Sequence, residues 1–221
     1  MENNGQPGAQ PGATETRQRH LIAVLRGVRD VNRLIASEDD PGRLIERACE
    51  HLTAAMGYHN AWIALLGREA SRALGLSPQG AVSATAAAGF NGGFAAMRQR
   101  LERGEFPACM ACALETGDTR VTGDTATDCP DCPLSRDYGG RAGLTRRLEF
   151  DGVTYGILTA SVPADYSRDA EEQELFDELA RDLALGLHKI AMARRLEEID
   201  RSYRDLFEKH SAAKLIIDPD D

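Results

Sequence analysis

No apolar run in this 221-residue chain approaches the ~20 residues that span a bilayer, so no membrane-spanning helix is expected. The opening stretch MENNGQPGAQPGATET has no apolar h-region, so it is not expected to act as a secretory signal. A basic excess is also missing. Lys and Arg number 26 against 35 Asp and Glu, for a net charge of −9 and a pI near 5.1. Nucleic-acid phosphates and anionic membrane surfaces both require a basic face, so neither is an expected partner. The chain reads as cytoplasmic. Thiols stay reduced there, and a C-x-x-C pair is more often metal-binding or redox-active than a structural disulfide. At 42% hydrophobic residues a core is available, and the length suits one domain of about 150 residues with extensions.

What the chain does have is four cysteines in two pairs, Cys109-Met-Ala-Cys112 and Cys129-Pro-Asp-Cys132-Pro133, sixteen residues apart. The spacing falls within a zinc-ligand pattern, in which four thiolates close one tetrahedral shell. Pro130 and Pro133 stiffen the second pair, and a stiff loop loses less entropy when it is ordered around an ion. The stretch 117–140 is poor in apolar residues, so a metal would supply the cross-link its side chains lack. Asp118, Asp124, Asp128 and Asp131 make the surroundings acidic. A zinc ion on Cys109, Cys112, Cys129 and Cys132 is therefore the expectation. Iron, mononuclear or as a cluster, suits the same thiolates. A dithiol–disulfide switch and four unliganded thiols remain open as well. Cys109 and Cys112 fall where a helix is expected to begin, at positions i and i+3. A site using three of these cysteines would need another ligand, such as an Asp. Cys49 lies in an apolar helical stripe and reads as a small core hydrophobe.

Periodicity sets out the elements. Residues 1–16 read as a disordered leader. A helix is expected from Arg17 to Ala36, with Leu21, Val24, Val28, Val31 and Ile35 on a coiled-coil-like seam. That seam fits packing on its own domain and helix pairing equally well. A second helix spans 41–56, started by Ser37-Glu38-Asp39-Asp40-Pro41. Strands are expected at 62–66 and 81–88, joined by a loop holding Gly75, Pro78 and Gly80. Helices follow at 93–103 and 107–116, then a long loop over 117–140 with a short strand at Thr119 to Thr122. Strands 143–150 and 153–162 flank Asp151-Gly152, a strong hairpin signal. A long helix covers 169–209 with two seams: Phe176, Leu179, Leu183, Gly186, Ile190, and Met192, Leu196, Ile199, Tyr203, Leu206. The seams fall out of phase near 190–193. The first is expected to pack on the sheet and the second to pair or link.

This order resembles a GAF domain over about residues 20–195. Ala61 to Leu66 looks like the first GAF strand, and Ala113-Leu114-Glu115-Thr116-Gly117 like the helix end that often reads A-L-E-T/S-G. Tyr155 to Ala160 is similar to the last strand, and Glu171 to Leu187 to the exit helix. The resemblance implies an α+β fold: a central antiparallel sheet flanked by helices, with long terminal helices able to form a dimer bundle. It divides the chain into a leader (1–16), a GAF domain (17–195) and a linker (196–221). Tyr203 to Glu208 followed by Ala212 to Asp218 looks like the opening of a PAS domain, which stops before its core. The chain is thus expected to be a piece of a bacterial sensor of histidine kinase or diguanylate cyclase type, homodimeric and without catalytic residues of its own. No phospho-acceptor region, ATP-binding box or G-G-[DE]-E-F motif is present.

GAF domains hold small molecules near residues 90–135, but the ligand here is unknown. The N-K…F-x-x-x-D-E pattern of cyclic-nucleotide GAFs is missing, and neither Cys109 nor Cys112 is followed by the His usual in bilin binders. Some GAF proteins reduce methionine sulfoxide through cysteines in this region, which gives an enzyme alternative. His59 is the one histidine to check as a pocket residue, although strand entry is its simpler role. Arg146-Arg147 fits a solvated face better than an anion site.

Overall fold

The computed structural model describes residues 11–76, 81–90 and 92–209. Its elements run α1 (Pro11–Ser37), α2 (Pro41–Ala54), β1 (Ala61–Leu66), α3 (Arg68–Ala73), β2 (Val82–Ala88), α4 (Phe94–Glu102), α5 (Ala108–Thr116), β3 (Arg120–Thr122), α6 (Thr125–Asp128), β4 (Ala142–Phe150), β5 (Val153–Val162) and α7 (Ala170–Lys209). The strands form one antiparallel sheet in the order β2-β1-β5-β4-β3. The expected α+β architecture is present.

The two-residue period of β1 divides the core. Ala61, Ile63 and Leu65 face a layer formed by α1, α2 and α7, while Trp62, Ala64 and Leu66 face α4 and α5. β1 and β5 approach so closely that a Cβ on Gly156 would stand 2.1 Å from the Ala64 carbonyl oxygen. The β4–β5 hairpin closes through Asp151 (φ 52) and Gly152 (φ 73), both left-handed as a type I′ turn requires. α2 starts as its sequence predicts, with the Asp40 side chain accepting from the Arg43 N–H.

Several expectations need correction. α1 begins at Pro11, so residues 11–16 extend the helix instead of a leader; Pro is suited to a first helical turn, where no N–H partner is lost. Residues 1–10 lie outside the described residues, as do 210–221 with the second half of the PAS-like stretch. The β1–β2 connection contains α3, and the 117–140 loop contains α6, which is N-capped by Asp124 accepting from Ala126 N–H. A four-residue helix is too short to leave a periodic signal. The α1 seam is intramolecular: Val24, Val28, Val31 and Ile35 are buried against the chain's own core. The first α7 seam packs within the domain as expected, and there Ile35 sits on Gly186 closely enough that an added Cβ would meet it at 2.9 Å. The second α7 seam is exposed.

Among the described residues, no helix is long and apolar enough to cross a membrane.

A candidate thiol site

The sheet face opposite α1, α2 and α7 carries hydroxyls beside its apolar residues. Thr159 on β5 and Thr145 on β4 point to this side, and Thr159 Oγ1 donates to Thr145 Oγ1 at 3.2 Å. α5 lies across them, anchored by buried Met110 and Ala113. Its N-terminus follows Pro107 and has no side-chain cap, so Cys109 in the first turn brings unsatisfied helix N–H groups to the face.

The second cysteine pair arrives on a folded loop. Thr125 Oγ1 donates to Ser135 O at 3.1 Å, joining the start of α6 to the far end of the loop. Cys132 N donates to Cys129 O at 3.0 Å, and Ser135 N donates to Cys132 O at 3.0 Å. These two turns point both sulfurs inward. Buried Leu134 and Tyr138 pin the loop's end, and the Trp62 indole N–H donates to Tyr138 Oη at 3.4 Å.

Cys109, Cys129 and Cys132 thus line one cavity of about 20 Å³ with Thr122, Thr125, Ser135, Tyr138, Thr145 and Thr159. That is room for about one water molecule. The Cys109 thiol and backbone N–H stand beside the Cys129 sulfur and favour its thiolate. This pulls the Cys129 pKa down to about 7; the Cys109 thiol is the main cause, and Arg120 adds to it against burial and Asp128. Cys109 moves the opposite way, held protonated by Cys129 and by burial. Burial also raises Cys132. The trio is therefore polarised, with a thiolate at the helix N-terminus beside a thiol that donates to it.

Cys112 does not line the cavity; it lies a helical turn further along α5, half-buried, its carbonyl accepting from Thr116 Oγ1 at 3.1 Å. Among the described residues, no set of three His, Cys, Asp or Glu side chains stands close enough to hold a metal ion. A four-sulfur shell would therefore require Cys109, Cys129 and Cys132 to close up and Cys112 to turn in. Cys49 is a fully buried core residue, as expected.

The remaining residues considered in the sequence fall elsewhere. His59 is exposed at the entry to β1 and is not in the cavity. Arg146 pairs with Asp177 at 3.5 Å, and Arg147 donates to Leu114 O at 2.8 Å; both tie β4 to neighbouring helices. A second polar cluster, where His20 on α1 meets Glu172 on α7, has no signal in residue spacing. The hydroxyls of Thr145, Thr159 and Ser135 were missed too, because isolated Thr and Ser in strands and loops carry no spacing signal.

No family model and no curated protein matches the chain. Solved structures do. The A. aeolicus nlh2 GAF domain in an inactive state aligns at TM-score 0.55 and 8% identity, over 76% of this chain and 98% of that one. The GAF domain of an Acinetobacter phosphoenolpyruvate-protein phosphotransferase aligns at 0.52 and 12%, over 75% and 92%. The chain has the GAF fold. A free methionine-R-sulfoxide reductase from Neisseria meningitidis, solved with its substrate, aligns at 0.52 and 16%, over 87% and 99%. At these identities the likeness extends to the GAF fold and not to chemistry.

Proposed function

We propose that this chain is a regulatory, sensory GAF domain of a cytosolic bacterial signalling protein, with the thiol cavity as its input. The observation that carries this is the polarised contact between Cys129 and Cys109, with Cys132 beside them. A hydroperoxide is the class of input that suits it. The Cys129 thiolate would attack the peroxide, releasing hydroxide or alkoxide and becoming a sulfenic acid. The Cys109 thiol would then attack that sulfur, expelling water and leaving a Cys109–Cys129 disulfide. Two electrons pass from the two thiols to the peroxide. Closing that bond would draw the 129–135 loop toward α5 and shift the α5–β4 packing. The signal would leave along α7 toward a PAS and an output domain further on.

Zinc is the second reading. Three of the four suitably spaced sulfurs already share one cavity, and Cys112 is one helical turn away. Zinc would cross-link α5 to the loop and lock the thiols against oxidation.

The experiment is elemental analysis of the purified protein, followed by peptide mapping after stoichiometric peroxide. A metal-free protein that forms a Cys109–Cys129 disulfide supports the redox input. One zinc per chain, with the four thiols protected from alkylation, replaces it with the structural metal. The reductase neighbour brings a third outcome, turnover of methionine-R-sulfoxide with thioredoxin. A cavity of about 20 Å³ is far smaller than the ~300 Å³ of ordinary ligand pockets, so no turnover is expected.

A further inference from the structure

The groove between α1 and the first half of α7 combines two features that are unfavourable in water. Its floor is apolar and open. Leu21, Leu25 and Leu175 line a cleft of about 680 Å³, and Leu25 is 53% exposed, with Ile22 beside it on α1 at 41%. Positions four apart share a helix face, so Leu21 and Leu25 form a short apolar ridge along the cleft. One wall is a row of like charges. Glu174, Glu178 and Asp182 line the same cleft at successive steps of four residues, about 6 Å apart along α7. Like charges at that spacing repel. Among the described residues, none of the three has an ion-pair partner. Arg17 takes the neighbouring Glu171 at 3.0 Å, and Arg181 Nε donates to the Asp177 carbonyl at 3.3 Å.

We propose that this groove docks a basic amphipathic helix from a partner protein. Its apolar face would cover Leu21, Leu25 and Leu175, and Lys or Arg residues four apart would run along Glu174, Glu178 and Asp182. One occupant then relieves both the exposed apolar floor and the repulsion in the acidic row. A helix is the matching shape, because the acids recur at helical spacing and a helix laid along α7 presents its cations at the same interval. Charge selects the chemistry. An acidic or a purely apolar segment would cover the row and leave three carboxylates partly desolvated and unpaired. The net charge of −9 favours approach of the same class of partner. The groove lies in the α1, α2 and α7 layer, on the other side of the sheet from α5 and the thiols, so the inference is independent of the chemistry there.

The test is fluorescence anisotropy on the full chain with a labelled probe peptide of about 18 residues, long enough to be helical. The probe carries Lys at every fourth position along one edge and Leu on the adjacent face. A scrambled peptide of the same composition controls for bulk charge. The expected result is saturable binding of the probe, at least about tenfold tighter than the scrambled peptide. Glu174→Lys with Glu178→Lys should weaken it about tenfold or more, and a probe with Glu in place of Lys should regain binding to that variant. Both positions are exposed, so the fold is kept, as checked by circular dichroism. Leu25→Ser should weaken binding and leave its salt dependence unchanged. No saturable binding, equal binding of the scrambled peptide, or binding indifferent to the charge reversal overturns the inference. Sedimentation equilibrium reads the competing occupant. A dimer that the same charge reversal dissociates gives the groove to a second copy and also overturns the inference.

Discussion

His20 Nε2 lies 2.9 Å from the Glu172 carboxylate, joining α1 to the first turns of α7 across 152 residues of sequence. Glu172 is 1% exposed. Around the pair lie the Tyr166 ring, 4.9 Å from the His20 ring, and the buried Tyr58 phenol. Burial, and secondarily Glu172, pushes the Tyr58 pKa well up. Removing the imidazole leaves a buried carboxylate without its partner. His20→Ala is therefore expected to cost about 3 kcal/mol of stability by urea unfolding. The double variant His20→Leu, Glu172→Leu should recover most of it, because no buried charge is then left unpaired.

Cys129 should be the first of the pocket thiols to react. Its thiolate is the reactive form, and a pKa lowered to about 7 means that this form is lost below pH 7 and dominates above it. In reduced, EDTA-treated protein, iodoacetamide labelling of Cys129 is expected to reach half its limiting rate near pH 7. Cys109 and Cys132 should label only at higher pH. Cys109→Ala removes the principal donor and should move the Cys129 midpoint upward. An unchanged midpoint would show that the thiol contact is not what lowers it.

Trp62, the chain's single tryptophan, reports on the cavity. Its indole N–H donates to the Tyr138 hydroxyl, and Tyr138 lines the cavity. Forming the Cys109–Cys129 disulfide should shift its fluorescence, and Tyr138→Phe should suppress the shift while leaving disulfide formation intact by peptide mapping.

Gly186 sets the distance between α1 and α7. A side chain there would enter the space held by Ile35. Gly186→Leu is expected to destabilise the domain by about 1–3 kcal/mol through overpacking. Gly186→Leu with Ile35→Ala should regain part of that loss, read as a rise in thermal midpoint.

The strands and long helices were legible because their patterns are long enough to register: an unbroken apolar run in β1, a mostly apolar run beside the Asp151-Gly152 turn in β5, and steps of three and four in α2 and α7. The Asp151-Gly152 turn and the Asp40 cap were legible because each uses a residue suited to its backbone geometry. α3 and α6 were not, because one or two helical turns hold too few apolar residues to show a period. The cysteine pairs were visible as pairs. Their spacing could not say that Cys112 would point away from the cavity while Cys109 enters it.

The sequence alone determined the α+β pattern, the four cysteines and the two out-of-phase seams of α7, all of which are local features of residue type and spacing. Only the tertiary structure decided which seam the domain uses for itself. An apolar stripe does not carry the identity of its partner. The first seam found Ile35 and the sheet, the second stays exposed among the described residues, and the sulfurs acquired their asymmetry from where the N-terminus of α5 came to rest.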